Sequence, residues 1–203
     1  MNHEHFYSSI TSTTYTKVKI AGFDIDGTII TPKRTCELFG KYNDPNDFTF
    51  KFKKIPKCLN IISKDFKIIF FTNQGGIEKG DQSLQLMIDK LENIKSEIGL
   101  RNISYCIAKT RNEHYRKPGI GMWEYVESVY KNIDKRNSFF VGDSAGRPCE
   151  PCKKCIRSNC EEVFEQGRPT DYGDFDKQFA KNIGIKFYTP EDFFYRKMAN
   201  VNL

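Results

Sequence analysis

Short apolar runs alternate with stretches of helical spacing along most of this chain, and few folds accommodate that alternation. Strands are expected over residues 18–23, 67–71, 103–108, 138–141 and 186–188. Between them, Ile55, Leu59 and Ile62 mark a helix over 55–63 that opens beside Pro56. A second helix is expected over 81–98, where Leu84, Met87, Ile88, Leu91, Ile94 and Ile98 form one stripe that stops at Gly99. Met122, Val126, Val129 and Ile133 place a third over 121–133, and shorter helices fit 175–182, ended by Gly184, and 190–195. Strand and helix in turn predict a parallel sheet with crossover helices, an α/β fold of the Rossmann-like three-layer αβα type.

Three segments break the pattern. Residues 1–16 read as a flexible polar tail, with Ser and Thr dominating 8–16, so the folded domain is expected over 17–203. Residues 31–54 are irregular, rich in Asp, Asn and Pro, and read as a loop or flap with at most a small cap. Residues 149–173 interrupt the alternation as a cysteine-rich insertion.

Composition narrows the class. Hydrophobic residues make up only 38% of the 203, yet 17 Phe and 10 Tyr supply enough bulk for a core, which excludes wholesale disorder. No apolar run exceeds four residues, so no membrane span is expected. The first sixteen residues lack the apolar stretch of a secretory signal. Seven cysteines without such a signal point to reduced thiols in a reducing compartment, nucleus or cytoplasm. The net charge of +6 suits a polyanionic partner, but a lysine-rich composition produces the same excess, and charge alone does not choose between them.

The chemistry concentrates at strand ends. Phe23-Asp24-Ile25-Asp26-Gly27-Thr28 directly follows an apolar strand. Residues two apart at a strand end project to the same side, so Asp24 and Asp26 are expected to face one pocket beyond the sheet's carboxyl edge. Two carboxylates that close are costly unless a cation lies between them, which points to Mg²⁺ with its oxygen ligands. The strand over 67–71 ends in Thr72-Asn73-Gln74, the strand over 138–141 ends in Gly142-Asp143, and Arg116-Lys117-Pro118 precedes a helix. Taken alone, Thr72 is a turn residue, Asp143 a helix cap and Lys117 a solvated charge. Taken in order, each beyond its own strand, they reinforce one another.

The constellation Asp24-x-Asp26-Gly27-Thr28, Thr72, Lys117 and Asp143 resembles the haloacid-dehalogenase superfamily of aspartyl phosphotransferases. Further boxes narrow it: Phe71-Thr72-Asn73-Gln74, Tyr115-Arg116-Lys117-Pro118 with Gly121-Met122-Trp123, Val141-Gly142-Asp143 with Ala145-Gly146-Arg147, and Asp176 with Phe179, Ala180, Asn182 and Gly184. These are similar to the phosphatase domain of polynucleotide kinase 3′-phosphatase, from about residue 17 to 195, interrupted only at the cysteine insertion.

The resemblance implies a polynucleotide 3′-phosphatase acting on 3′-phosphate ends of DNA, in strand-break repair. Asp24 would be the nucleophile, Asp26 the general acid and then base, and Lys117 a charge-neutralising partner. Mg²⁺ would be held by Asp24, Asp143 and the main-chain carbonyl of Asp26. Thr72 with the amides of Asn73 and Gln74 would orient the phosphate, and Arg116 and Arg147 would contact phosphate or strand. Superfamily members often carry a second acid four residues beyond the last motif aspartate; here Arg147 stands there. Asp176 is then either a substitute that pairs with Lys117 or a plain acid at a helix N-terminus. No kinase half is expected in this chain, because Gly75 and Gly80 have phosphate-loop spacing but Asp81 replaces the lysine such a loop requires.

Cys149, Cys152, Cys155 and Cys160 are compact enough for four sulfurs to reach one tetrahedral ion. Zn²⁺ in a structural clip is expected, with an iron–sulfur cluster or free thiols as the alternatives. Two other functions stay open. One is a small-molecule phosphatase of the histidinol-phosphate or heptose-bisphosphate kind, whose relatives place a zinc site before the lysine motif, where this chain offers only Cys106 and His114. The other is a zinc-anchored nucleic-acid-binding module with a vestigial pocket. Nothing in the sequence calls for more than a monomer, and protein partners leave no mark in it.

Overall fold

A computed structural model describes residues 1–33, 44–148 and 170–198. Its elements run in chain order β1 (Phe6–Ser8), β2 (Ile20–Phe23), β3 (Ile30–Thr31), β4 (Thr49–Phe50), α1 (Ile55–Ile62), β5 (Lys67–Asn73), α2 (Leu84–Ile98), β6 (Ser104–Ala108), α3 (Gly121–Val129), β7 (Phe139–Val141), α4 (Phe175–Ile183) and β8 (Lys186–Tyr188). A last helical turn covers Asp192–Lys197. The main sheet has the order β1-β6-β5-β2-β7-β8. All its pairings are parallel except that of β1, which runs antiparallel to β6. Among the described residues this is the expected three-layer α/β architecture.

Neighbouring strand residues feed opposite layers, as the two-residue period of a strand dictates. Phe70 and Phe139 join Leu59 of α1, Leu91 and Ile94 of α2, and Phe193 and Phe194 on one face. Phe71 and Phe140 join Met122, Trp123 and Val126 of α3 and Phe179 of α4 on the other. A fully buried side chain of this size is worth about 1.5–3 kcal/mol, so the phenylalanines supply the core that the modest hydrophobic content left in question.

Local signals set the helix ends. α2 begins at Leu84 rather than near 81 because Ser83 caps it, its hydroxyl accepting the Leu86 N–H at 3.0 Å. It stops at Gly99, whose φ of 78° is a left-handed conformation open to glycine. α3 stops at Val129, short of the expected 133. Tyr130 turns extended, and the chain there runs alongside residues 14–18 through bridges Thr14↔Tyr130 and Val18↔Ile133.

The flexible tail expected over 1–16 needs correction. Phe6–Ser8 forms the edge strand against β6, with Phe6 pairing Ala108 and Ser8 pairing Cys106. Phe6 is 1% exposed and stacks on Tyr115, with ring centroids 4.7 Å apart. Ile10 is buried too. Two apolar anchors among polar residues are enough to seat the segment, and the buried Ser8 hydroxyl is satisfied by the Ile10 N–H at 3.1 Å.

The segment over 31–54 is also less irregular than expected where it is described. β3 and β4 pair as a small antiparallel ladder, and Phe48 and Phe52 reach the core. Its centre lies outside the described residues, as do Cys149, Cys152, Cys155, Cys160 and nearly all of the 149–173 insertion.

Candidate active site

β2, β5 and β7 lie side by side, so their carboxyl ends deliver Asp24, Thr72 and Asp143 to one edge of the sheet. Asp24 follows β2, and its N–H donates to the Val141 carbonyl at 2.9 Å. The turn after it is tight: the N–H groups of Thr28, Ile29 and Ile30 all converge on the Ile25 carbonyl. Gly27 sits at φ 79°, where a side chain would also collide with the Asp143 carboxylate, so glycine is required twice over. Thr28 links the two aspartates. Its hydroxyl lies 3.1 Å from Asp24 Oδ2 as donor and accepts the Asp143 N–H at 3.0 Å.

Lys117 reaches the same point from the loop before α3. Its side chain is 2% exposed, and its ammonium lies 2.5 Å from Asp24 Oδ1 and 2.7 Å from Asp176 Oδ1. Burial works against the charge, but the Asp176 and Asp24 carboxylates outweigh it and raise the ammonium pKa. Of the two readings of Asp176, the pairing with Lys117 is the one found. This residue in the first turn of α4 also accepts the Ser144 N–H at 3.1 Å, and it packs where any side chain on Gly142 would stand.

Asp24, Asp143 and Asp176 each bring a carboxylate oxygen within 4.8 Å of the others. Three carboxylates against one ammonium leave an excess of negative charge. Burial, then the charges of Asp24 and Asp176, push Asp143 up to about 8. Asp176 is pushed up to about 6 by burial, with Lys117 pulling the other way. A hard divalent cation fits this oxygen donor set. Among the described residues no main-chain N–H donates to the Asp26 carbonyl, which leaves that oxygen open as well.

The Asp26 side chain stands apart from this cluster. Lying in the turn beyond the strand end, its carboxylate accepts from Gln74 Nε2 at 2.8 Å. Crowding by surrounding protein raises its pKa, although the side chain opens to solvent at the rim, and the Asp24 charge adds to this while Lys90 opposes it. Gln74 also touches the Thr72 hydroxyl at 2.7 Å and is held by Gln82 at 2.6 Å. The side chain that joins Asp24 and Asp143 in the carboxylate cluster is thus Asp176, where the sequence had put Asp26.

Two expected substrate contacts are corrected. The Asn73 amide is used up on the lysine loop, accepting the Lys117 N–H at 2.9 Å and donating to the Lys117 carbonyl at 3.0 Å. Its role is to fix Lys117. Arg147 is likewise engaged within the protein: it forks onto Asp171 at 2.8 and 3.1 Å and reaches Glu191 at 3.0 Å and the Asp143 carbonyl at 3.2 Å. Lys51, which the sequence did not single out, completes this brace. Its ammonium donates to the Gly27 carbonyl at 2.6 Å and lies 3.3 Å from Glu191.

Arg116 is placed differently from Arg147. It is half-buried at the rim, and among the described residues it makes no ion pair; burial and then Arg111 lower its pKa, with the Tyr172 hydroxyl acting against them. Tyr172 is 79% exposed. Cys106 and His114 do not meet as a zinc pair: the Cys106 thiol contacts Ser8, and His114 contacts Glu124 at 2.9 Å.

The family model described as polynucleotide kinase 3 phosphatase matches residues 19–194. The chain belongs to this family. It is 35% identical over 177 residues to an uncharacterized 20.8 kDa protein of Autographa californica nuclear polyhedrosis virus, covering 87% of this chain and 86% of the viral one. It is 32% identical over 178 residues to a bifunctional polynucleotide phosphatase/kinase of Schizosaccharomyces pombe, where 87% of this chain matches 37% of that protein. The chain thus spans little more than a third of the yeast enzyme's length. Among solved structures, a putative HAD-like phosphatase of Mesorhizobium loti superposes with a TM-score of 0.56 at 17% identity, over 70% of this chain and 72% of that one, which supports the fold. No helix among the described residues is long and apolar enough to cross a membrane.

Proposed function

We propose that this protein is a phosphomonoesterase that removes 3′-phosphate groups from polynucleotide ends, as in the processing of DNA strand breaks. The observation that carries the reading is the convergence of Asp24, Lys117 and Asp143 at the carboxyl edge of the sheet, in a chain of this family.

Asp24 attacks phosphorus while the bond to the 3′-oxygen breaks, and Asp26 donates its proton to that leaving oxygen. Asp26 then takes a proton from water, whose oxygen attacks the phospho-aspartate and frees inorganic phosphate. Gln74 fixes Asp26 for both transfers. The Thr28 hydroxyl and the Lys117 ammonium hold the Asp24 carboxylate in position, leaving its orientation little freedom. Magnesium held by Asp24, Asp143 and the Asp26 carbonyl would supply positive charge against the phosphate dianion. Asp176 keeps Lys117 charged and aimed, the work its place at the start of α4 allows. Arg116 with Arg111, and the open face of Tyr172, offer the rim a phosphate contact and a stacking surface for an incoming strand.

The four cysteines are read, from spacing alone, as a zinc clip on the insertion. Elemental analysis of the purified protein is expected to give about one zinc per chain; a metal-free, stable protein overturns the clip.

The deciding assay is inorganic phosphate release from a 3′-phosphorylated oligonucleotide, its 5′-phosphorylated counterpart and histidinol phosphate, each with and without Mg²⁺. Release from the first alone, dependent on Mg²⁺ and abolished by Asp24→Asn in a folded protein, is the expected result. Release from histidinol phosphate alone moves the chain to the small-molecule phosphatases, and silence on all three favours a nucleic-acid-binding module with a vestigial pocket.

A further inference from the structure

The end of the sheet opposite the catalytic edge carries a groove of about 320 Å³, within the usual range for a ligand-sized cleft. The segments that lead into β2, β5, β6 and β7 form it, and its walls include Lys17, Lys19, Lys64 and Lys67, with Phe66 and Asp134. Lysines outnumber carboxylates there by two, since Asp65 and Asp134 are the acids present. One of those acids is spent, because Asp134 lies 3.1 Å from Lys17. Lys19 lies over the Phe66 ring at 4.7 Å, which keeps an aromatic face and a cation together. Lys64 and Lys67 are exposed and, among the described residues, make no ion pair. Arg101, next to the groove residue Asn102, adds an exposed cation at the same end.

Four lysines line the cleft against two carboxylates, one of them paired with Lys17, so an excess of like charge is left to repel there. A polyanion relieves that repulsion and gains the entropy of released counterions. We propose that this groove is a second polynucleotide contact, which takes the phosphodiester backbone of the strand whose 3′ end lies at Asp24. The choice of ligand rests on the polynucleotide reading of the active site; the charge and shape of the groove do not.

Geometry sets a length requirement. β5 runs from Lys67 at the groove to Asn73 beside the catalytic lysine, seven residues, or roughly 20 Å at the usual strand rise. A strand rising about 3.4 Å per nucleotide needs at least about six nucleotides to join the two sites. Shorter substrates occupy the catalytic edge alone.

The test measures binding of fluorescent oligonucleotides with 3′-hydroxyl ends, about four and about twenty nucleotides long, to the wild-type protein and to the double variant Lys64→Glu/Lys67→Glu. The expected result at moderate salt is about tenfold weaker binding of the longer oligonucleotide, with the slope of log affinity against log salt reduced by about 1.4, as for two lost phosphate contacts on a single strand. Binding of the short oligonucleotide and turnover of a short 3′-phosphorylated one are expected to stay unchanged. Both lysines are exposed, so the variant should melt with the wild type. Unchanged affinity and slope for the longer oligonucleotide overturn the proposal. Equal losses at both lengths overturn it too, as does an effect confined to added inorganic phosphate. If phosphate release fails while the length-dependent loss stands, the catalytic reading falls alone.

Discussion

Replacing Asp143 by Asn should stabilise the metal-free protein and destroy its response to magnesium. Asp143, Asp24 and Asp176 place carboxylate oxygens within 4.8 Å of one another. At that separation, each like-charge pair costs about 3.5 kcal/mol for an effective dielectric constant near 20. Lys117 offsets part of this from 2.5 and 2.7 Å on Asp24 and Asp176. At pH 8 and above, where Asp143 ionises, one uncompensated repulsion is therefore a fair ceiling. Asp143 is half-buried, and solvent screening brings the expected gain from Asn down to about 1–2 kcal/mol. The amide removes the charge while offering an N–H to the neighbouring carboxylates. For a domain of this size the gain corresponds to a melting temperature about 2–8 °C higher in EDTA. Magnesium at about a hundred times its dissociation constant should stabilise the wild type by about 2.7 kcal/mol and the variant hardly at all. The order of the two melting curves is thus expected to invert between EDTA and magnesium, with phosphate release absent from the variant in both. A variant that melts below the wild type in EDTA, or that gains the same increment from magnesium, would falsify the account of this cluster as an unneutralised cation site.

Two further substitutions test other parts of the structure. Lys117→Met strands two buried carboxylates, Asp24 and Asp176, and should cost about 3–5 kcal/mol, seen as a lower urea midpoint with an unchanged denaturant slope; an unchanged midpoint means the lysine is not the counter-charge described. Phe6→Ala removes a ring that is 1% exposed and should cost about 3–5 kcal/mol in the same measurement, whereas a loose tail would lose nothing.

The sheet was legible because parallel strands buried on both faces read as apolar runs, and the α2 and α4 stripes each ended at a glycine. β8 at Lys186–Tyr188 lies where the pattern put it, and α2 differs only by its serine cap. β1 was hidden because three residues with one buried phenylalanine leave no periodicity to detect. At the site, Asp24, Thr72, Lys117 and Asp143 were legible because each follows or faces a strand end within a motif. Asn73 and Arg147 were placed there by the same logic, but residue type does not tell a group aimed at substrate from one aimed at backbone. Asn73 sits opposite the Lys117 peptide, and Arg147 opposite Asp171 and Glu191. Lys51 carried no signal at all, since its partner is a main-chain carbonyl brought near only by the β3–β4 ladder.

The replacement of an acid by Arg147 becomes intelligible through this brace. An acid four residues beyond Asp143 would add a fourth carboxylate to a neighbourhood where Asp143 is already pushed up to about 8. Asp176 instead enters from α4 and brings its charge to the lysine, so the cluster keeps three carboxylates around one ammonium. The guanidinium at 147 then ties the Asp143 carbonyl to Asp171 and Glu191, and Lys51 carries the brace on to the Gly27 carbonyl. Both aspartate-bearing loops are thereby held against the repulsion between their side chains, which a divalent cation would relieve. The cations so committed face the protein, while Arg111 and Arg116 stay at the rim without ion pairs among the described residues.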